Sequence, residues 1–439
     1  MPPTLSAPAP STRLFPVLLV NFIGMMGYSI VMPLLIFLVQ DFGGNAFIYG
    51  LLGAMYPALQ MIGAPLMGKW SDQIGRKRVL MISQSGTFLA WCLFILSLLL
   101  PKTTLVEINN DFTGPFLLSL PLIILFLARA FDGLTGGNVS VANAYLSDIS
   151  TDENRKANFG KMASSTSLGF VLGPMLASLL GGTALKELLP VMAAATVSLL
   201  AIMVIRFRLP ESRPELVDPN IKPLRLAKLF QIEHKECYEM EHCDESNFRS
   251  ILREPGIPLM FLIYFLTFLS FSFFYAGLPI FASTVLEWET SQLGLLFTYS
   301  SGLMILVQGP LLTFLSDKVK GEYLVLTGAL LIMINFIMLP MVDGAMIYVA
   351  ISFMAIGNGM MWPSFLALLA QRGSPKVQGS IQGYANSMGS LASIFGLVLG
   401  GTLFGQIGPK VFWIAAVVMC LVFLVSLNLL RTSSSADPR

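Results

Sequence analysis

The sequence predicts an all-α integral membrane protein, with twelve transmembrane helices arranged as two pseudo-symmetric six-helix bundles. Hydrophobic residues make up 55% of the 439 residues and charged residues only 12%, which is about half the charged fraction of a soluble domain. Twelve apolar runs are each long enough to cross a hydrocarbon core of about 30 Å as a helix. The longest polar stretch, residues 207–256, falls between the sixth and seventh of these runs.

The twelve runs define the expected order of the chain. They cover residues 14–39, 47–68, 79–100, 116–146, 162–184, 188–205, 257–286, 292–315, 323–342, 345–370, 377–404 and 411–430. We expect helices, because a backbone in lipid must satisfy its own hydrogen bonds and these runs are too long for barrel strands. The divisions are an N-terminal tail (1–13), a first bundle (14–206), a central loop (207–256), a second bundle (257–430) and a C-terminal tail (431–439).

The distribution of Lys and Arg predicts the orientation of the helices. With the N-terminus placed inside, 23 of the 27 basic residues fall in inner loops and termini, three fall in outer loops, and Arg129 lies within a run. Short inner loops of membrane proteins carry this excess of Lys and Arg. We therefore expect both termini in the cytoplasm and the protein in the plasma membrane, the inner membrane in a bacterium. Residues 1–12 lack the features of a cleavable signal, so the first run is expected to remain a span.

The two halves resemble each other at a nearly fixed offset. Pro65 and Asp72 recur as Pro310 and Asp317, 245 residues later. Weak internal repeats are the usual construction of secondary transporters, whose substrate site lies between the repeats near the middle of the membrane. We therefore expect a transporter whose partners are a small-molecule substrate and the lipid bilayer, and we expect it to be a monomer. The net charge of only +2 indicates no nucleic-acid partner.

The loop after the second run points to a family. Residues 68–78 read GKWSDQIGRKR, which resembles the signature Gly-x-x-x-Asp-x-x-Gly-Arg-Lys/Arg of the major facilitator superfamily. The resemblance implies the major facilitator fold and a latch on the cytoplasmic side. The gate residues that it implies are Gly68, Asp72, Gly75, Arg76, Lys77 and, in a decayed second copy, Asp317.

Simple physical roles are also expected for the residues of this loop. Gly68 would allow a close helix approach, Gly75 a tight turn, and Asp72 would face a helix N-terminus, where negative charge is stabilised. A basic loop that only orients the protein in the membrane is the alternative interpretation.

The fifth run carries a second resemblance. Gly160, Gly169, Gly173 and Pro174 have the spacing Gly-x8-Gly-x3-Gly-Pro. This spacing resembles the antiporter motif of the drug:proton antiporters, including the tetracycline-efflux proteins, which end it in Gly-Gly where this chain has Ala-Ser. The resemblance implies export rather than import. Close packing of small residues between helices is the alternative interpretation.

Arg129 and Asp132 are the only two of the 52 charged side chains that fall within the runs. They are three residues apart, so on a helix they share a face and can form an ion pair. A charge inside the membrane is costly and indicates function, although a purely structural ion pair is the alternative. The segment also resembles the Arg-x-x-x-Gly motif of the family, which is linked to proton transfer. If Asp132 carries protons, we expect the pair to open during the transport cycle.

Polar and aromatic residues within the runs predict the lining of a cavity. Aromatic walls suit amphipathic or planar substrates, although each such residue could instead serve packing or an interfacial belt. The candidates are Asn21, Tyr28, Tyr56, Gln60, Tyr264, Tyr275, Tyr299 and Trp362.

The central loop contains both histidines and two of the four cysteines, namely His234, Cys237, His242 and Cys243. Imidazole and thiolate groups can bind a transition metal, but the cysteine spacing fits no common zinc pattern. We interpret the segment as an acidic cytoplasmic linker and expect no metal.

Other functional classes lack their sequence signals. The sequence shows no nucleotide-binding loop and no histidine within a run, so we expect neither an ATP-driven pump nor a membrane enzyme. A membrane scaffold or sensor would not need Arg129 and Asp132 in the membrane. We expect a secondary transporter that works by alternating access, without a cofactor and driven by the proton gradient. The predicted activity is efflux of small amphipathic compounds, and the alternative is a metabolite or siderophore carrier for import or export.

Overall fold

The computed structural model describes residues 10–136, 138–212, 251–254, 256–372 and 378–434. Within these ranges the side chains of residues 10–13, 138, 152, 156, 378–380 and 431–434 are not described.

The described residues of the first half form seven helices and one hairpin. The helices are α1 (Pro10–Asp41), α2 (Ala46–Ile74), α3 (Arg76–Leu99), α4 (Leu120–Thr135), α5 (Asn138–Ile149), α6 (Asp152–Gly181) and α7 (Leu188–Arg208). Two short antiparallel strands, β1 (Thr104–Ile108) and β2 (Phe116–Ser119), lie between α3 and α4.

The second half continues with seven further helices in the part of the chain that the structure describes. They are α8 (Ile257–Thr284), α9 (Thr290–Leu306), α10 (Leu312–Ser316), α11 (Gly321–Met338), α12 (Met346–Ala370), α13 (Gln378–Ile407) and α14 (Val411–Ser434). A π-helical turn, Val307–Leu311, joins α9 to α10, and 3-10 turns follow α11 at Leu339–Met341 and α13 at Gly408–Lys410.

The helices account for the twelve spans that the sequence predicts. Eleven stretches of the described chain are long and apolar enough to cross a membrane. The last of them, Ile381–Leu430, is 50 residues long and contains the turn at Gly408–Lys410. Gly408 has a φ of +62°, a conformation that favours glycine and reverses the chain there. This stretch therefore comprises two spans, α13 and α14.

The fourth run is not the single helix that residues 116–146 were expected to form. Its first four residues form β2, and the Oγ of Ser119 then caps α4 by accepting from the backbone N–H of Leu122 at 3.4 Å. In the rest of the span, α4 ends at Thr135 and α5 begins at Asn138. A continuous apolar run does not distinguish a short buried strand or a helix break from a helix.

The fifth span begins earlier than the expected residue 162, because the polar segment before it is also helical. α6 starts at Asp152 with a capping box in which Thr151 and Asn154 satisfy each other's backbone groups.

The two ends of the bundle differ in character. We call the end at which α1 begins the basic face, and the end that carries β1 and β2 the hairpin face. Arg76, between α2 and α3, lies at the basic face, and Lys102, before β1, lies at the hairpin face. Since the spans alternate in direction, the position of a residue along its helix gives its depth between the two faces.

The two halves close on each other near the hairpin face. α2 packs against α13 so tightly that a Cβ placed on Gly50 would lie 3.1 Å from the Cα of Gly401. α6 packs against α9, and the Oγ of Ser178 donates to the carbonyl oxygen of Ser291 at 2.6 Å. In the described residues these contacts seal the interface between the halves near the hairpin face, which positions the cavity described next.

Candidate functional site

A cavity of about 660 Å³ lies between the halves, on the basic-face side of this closure. We call it the central cavity. The first half contributes residues of α1, α2 and α4 to its wall, and the second half contributes Tyr264 of α8 and Asn386 of α13. The lining residues nearest the basic face, including Met61, Pro65 and Asn386, are exposed to solvent. The cavity therefore opens toward the basic face.

Arg129 and Asp132 form a loose ion pair deep in the bundle. The Nη1 atom of Arg129 lies 3.5 Å from Oδ2 of Asp132, at the long limit of a hydrogen bond. The hydroxyl of Thr87, on α3, donates to the other carboxylate oxygen at 3.1 Å. Arg129 is 5% exposed and Asp132 8%. The expected pairing is therefore present, and Thr87 is a further partner that the sequence did not indicate.

The guanidinium of Arg129 is held by an aromatic face. Its Cζ lies 5.0 Å from the ring centroid of Tyr56, a cation–π distance. The Nε2 of Gln60 donates to the Tyr56 hydroxyl at 3.1 Å and to the carbonyl oxygen of Gly136 at 2.8 Å. The Nε of Arg129 is buried and has no hydrogen-bond partner among the described residues. Leaving a buried donor unpaired costs about 1–3 kcal/mol.

Glycines place this pair against α2. A Cβ on Gly133 would lie 2.7 Å from the carbonyl oxygen of Tyr56, so only glycine allows α4 to approach α2 this closely. Beyond it, α4 ends at Thr135, whose carbonyl oxygen accepts from the hydroxyl of Ser83 at 2.5 Å. Broken spanning helices of this kind are found at the substrate and ion sites of transporters.

A smaller chamber of about 250 Å³ adjoins the central cavity on the hairpin-face side. We call it the aromatic chamber. Its lining includes Tyr28, Tyr49, Phe170, Phe268, Phe271, Tyr275, Phe297 and Arg129. Tyr28 and Phe268 also line the central cavity, whereas Asp132 lines the central cavity and Arg129 the chamber. The ion pair therefore lies between the two spaces.

The structure brings most of the candidate lining residues to these two spaces. Tyr28, Tyr56, Gln60 and Tyr264 line the central cavity, and Tyr275 lines the aromatic chamber. Trp362 lies one layer behind, with its ring 5.1 Å from that of Tyr264.

The structure places two of the predicted lining residues, Asn21 and Tyr299, outside these two spaces. Asn21 lies between α1 and α6, where its Nδ2 donates to the hydroxyls of Ser165 at 2.7 Å and Thr166 at 2.8 Å. Tyr299 shares a hydrogen bond of 2.7 Å with Ser352 and lies outside both spaces. The sequence did not indicate these two positions, because a polar residue in a span can serve helix packing as well as cavity lining.

The gate residues form a charged cluster at the basic face of the first half. Arg76 contacts Asp72 through Nη2 at 2.8 Å and Asp148 through Nε at 3.1 Å. Its Nη1 donates to the hydroxyl of Ser71 at 2.5 Å. Gly75, with a φ of +100°, makes the tight turn between α2 and α3 that was expected of it.

Two details of the gate loop were not indicated by the sequence. Glu211, which follows α7, accepts from the backbone N–H of Arg76 at 2.8 Å and of Lys77 at 3.1 Å. Glu211 thus occupies the N-terminus of α3. A Cβ on Gly68 would meet no atom of the described residues within 4 Å, so Gly68 makes no close approach to a neighbouring helix in that part of the chain.

The second copy of the gate motif lacks this cluster. Asp317 is exposed, and no cation lies within ion-pair distance of it in the described part of the chain. The neighbouring Lys318 instead places its Nζ 3.7 Å from the ring centroid of Phe314.

Arg76→Lys is expected to lower the thermal unfolding temperature of the purified protein. An ammonium group cannot reproduce the three directed contacts of this guanidinium, so we expect a loss of about 1–3 kcal/mol. Arg78→Lys is the matched control, because Arg78 is exposed in the same loop. Equal unfolding temperatures for the two variants would show that the cluster does not stabilise the gate loop.

The glycines of the antiporter-like motif have two different environments. The hydroxyl of Ser29 on α1 donates to the carbonyl oxygen of Gly169 at 2.9 Å, and a Cβ on Gly173 would lie 2.7 Å from the carbonyl oxygen of Met26. A Cβ on Gly160 would meet no atom within 4 Å. Close packing on α1 therefore explains Gly169 and Gly173 but not Gly160. The carbonyl of Pro174 lies at the contact with Gly294 of the other half.

Gly173→Ala is expected to destabilise the protein by about 1–3 kcal/mol, because the added methyl overpacks the contact between α6 and α1. Gly160→Ala should be neutral or slightly stabilising, since alanine favours a helix and the site has space. Thermal unfolding of the two variants in one detergent makes the comparison. A neutral Gly173→Ala would contradict the packing role.

The histidine and cysteine cluster of the central loop lies outside the described residues. His234, Cys237, His242 and Cys243 therefore keep the interpretation given to them from the sequence. In the described ranges, no group of three or more His, Cys, Asp or Glu side chains is placed to hold a metal ion.

Comparison with known proteins places this architecture in a family. The sequence profile of the Major Facilitator Superfamily matches residues 17–397. The chain is 25% identical over 420 residues to the class E tetracycline resistance protein of Escherichia coli, covering 94% of this chain and 93% of that protein. It is 23% identical over 393 residues to the class D tetracycline resistance protein of Salmonella ordonez, covering 89% of each.

A solved structure shows the same fold. The crystal structure of the human organic anion transporter MFSD10 (TETRAN) superposes with a TM-score of 0.65 at 19% sequence identity, covering 96% of this chain and 100% of that chain. The matched profile, the relatives and this fold agree with the twelve-span architecture. The chain belongs to the major facilitator superfamily, and it is a multi-pass membrane transporter of small molecules rather than an enzyme.

Proposed function

We propose that the protein exports small amphipathic compounds in exchange for protons. The observation that carries this proposal is Asp132, the buried carboxylate in the wall of the central cavity. An ionisable group inside a membrane protein marks an ion or substrate pathway by default. No cofactor takes part, and the proton gradient supplies the energy.

The loose ion pair supports a proton role for Asp132. Its carboxylate is 3.5 Å from Arg129, and one oxygen is held only by the Thr87 hydroxyl. A carboxylate that stays tightly paired with an arginine remains charged, so a proton carrier must be able to leave its partner. Because Arg129 and Asp132 lie on the same helix, α4, the pair opens by rotation of its side chains, and Asp132 is then exposed to a proton from the central cavity.

The direction in which the cavity opens supports export by alternating access. With the basic face in the cytoplasm, as the distribution of Lys and Arg indicates, the cavity opens inward and is closed outward. Rocking of the two bundles about the central cavity then reopens it at the hairpin face. Both termini lie in the cytoplasm, and the membrane is the bacterial inner membrane, which agrees with tetracycline resistance proteins of bacteria among the relatives.

The lining supports an amphipathic substrate. Aromatic rings such as Tyr28 and Phe268 lie in the same wall as polar groups such as Gln60 and Asn386. Sites that are mostly apolar with a few polar groups fix the orientation of a ligand and leave its class open. A substrate with one aromatic and one polar end fits this division.

An efflux screen tests the proposal. The chain is expressed in a host that lacks its own exporters, and the cells are loaded with aromatic dyes that include ethidium. We expect faster loss of dye than in cells carrying an Asp132→Asn variant, and we expect a protonophore to remove the difference. Dye loss that the protonophore does not change would exclude proton coupling, and net uptake would favour a carrier that imports its substrate.

A further inference from the structure

Arg129, which lines the aromatic chamber, has a donor that proton exchange does not use. Arg129 is 5% exposed, its Nη1 is directed at Asp132, and its Nε has no hydrogen-bond partner among the described residues. In a guanidinium the Nε–H and one hydrogen of Nη2 point the same way and form a fork. Asp132 therefore occupies one side of Arg129 and leaves the fork on the other side without a described acceptor.

The walls of the chamber fit a flat ring. Tyr28, Phe268, Phe271 and Tyr275 all line it, and Tyr28 lies 5.2 Å from Tyr56, on whose ring Arg129 is placed. The volume of about 250 Å³ accommodates a fused aromatic ring system but not a whole drug-sized molecule. Since the chamber shares lining residues with the central cavity, the rest of a longer substrate can extend into that cavity.

The charges select an uncharged acceptor. Arg129 and Asp132 together carry no net charge when both are ionised. A carboxylate bound at the fork would be repelled by the negative charge of Asp132 on the same guanidinium. A cation in the chamber would be repelled by the positive charge of Arg129. A carbonyl oxygen satisfies the donor without either penalty.

We propose that the aromatic chamber binds the ring of an uncharged aromatic carbonyl compound, and that Arg129 donates a hydrogen bond from its fork to the carbonyl oxygen. The proposal rests on the proposed function only in treating the chamber as part of the transport path. It names Arg129 as a substrate-binding residue, in addition to its pairing with Asp132.

The test uses three ligands with one ring system and different charges. They are 2-naphthamide, 2-naphthoate and 2-naphthylmethylammonium, and their dissociation constants are measured by titration calorimetry on the full-length protein in detergent at neutral pH. We expect 2-naphthamide to bind about tenfold more tightly than either charged ligand. Equal or tighter binding of the carboxylate would overturn the charge argument.

Variants then distinguish the contribution of the Arg129 donor to ligand affinity from that of the aromatic lining. Arg129→Met combined with Asp132→Leu removes the pair without leaving a buried charge, and it should weaken the binding of 2-naphthamide about tenfold because the hydrogen-bond donor is lost. Tyr275→Leu should weaken all three ligands and keep the preference. Tyr299→Phe, outside both spaces, is the control and should change nothing. An unchanged dissociation constant for 2-naphthamide in the double variant would overturn the proposal, and thermal unfolding shows whether that variant is folded.

The outcomes are distinguishable from those of the efflux screen. Selective binding of 2-naphthamide without proton-dependent efflux would leave the chamber assignment standing and refute the proposed function. Proton-dependent efflux of dyes without selective binding of the amide would support the proposed function and refute the assignment of the aromatic chamber.

Discussion

Asp132→Asn is expected to abolish proton-driven accumulation and to leave exchange of substrate for substrate intact. In proteoliposomes, an exchanger that moves one proton per substrate reaches about a tenfold substrate gradient for each unit of pH difference, since tenfold corresponds to about 1.4 kcal/mol. The variant should reach no gradient, because the carboxylate that takes up the proton is gone. Counterflow without a pH difference should continue within about twofold of wild type, because the two bundles can still rock.

Two comparisons make this result specific. Removing one partner of a buried ion pair costs about 3–5 kcal/mol, so counterflow also serves to show that the variant is folded. Asp41→Asn is the matched control, because Asp41 is likewise paired with a cation, Lys102, but at the exposed end of α1. A pH-driven gradient that survives Asp132→Asn would exclude Asp132 as the coupling residue.

Gly50→Val is expected to lower transport by at least about tenfold, by preventing closure at the hairpin face. A Cβ at this position would lie 3.1 Å from the Cα of Gly401 and closer still to the carbonyl oxygen of Leu397, so backbone would have to move. Overpacking between rigid helices of this kind is not relieved by rotation of a side chain. The variant should therefore favour the state in which the hairpin face is open.

Cysteine labelling measures that shift directly. In a variant without native cysteines, Ser393→Cys is placed between the central cavity and the aromatic chamber. A membrane-impermeant maleimide added at the hairpin face should react faster when Gly50→Val is present. Gly405→Val, in the same interface, is the control, because a Cβ there would lie 3.8 Å from the Cβ of Ala46. Normal transport by Gly50→Val would contradict the closure.

The spans were predictable because hydrophobicity over about twenty residues is a strong signal in a membrane. The fourth run shows the limit of that signal. Phe116–Ser119 is as apolar as the helix that follows it, and only pairing with Thr104–Ile108 makes it a strand. The break after Gly136 depends on the hydroxyl of Ser83 and the amide of Gln60, which lie on other helices and satisfy the carbonyl groups there.

The site was predictable where a residue type is costly in lipid. Arg129 and Asp132 stood out for that reason, and their spacing correctly indicated a shared face. Thr87 and Glu211 did not stand out, because a threonine in a span and a glutamate after one are common. Thr87 contacts a residue 45 positions away in the chain, and Glu211 contacts a residue 135 positions away. Such contacts depend on tertiary packing, which a local sequence pattern does not predict.

The most direct test of the account is the movement of protons caused by substrate. Proteoliposomes containing the wild-type protein are loaded with a pH-sensitive dye, and a compound found in the efflux screen is added on one side without an initial pH difference. We predict a proton flux opposite to the substrate flux in wild type and none in Asp132→Asn. Substrate transport by wild type with no proton movement, or an undiminished proton flux in the variant, would contradict the central role assigned to Asp132.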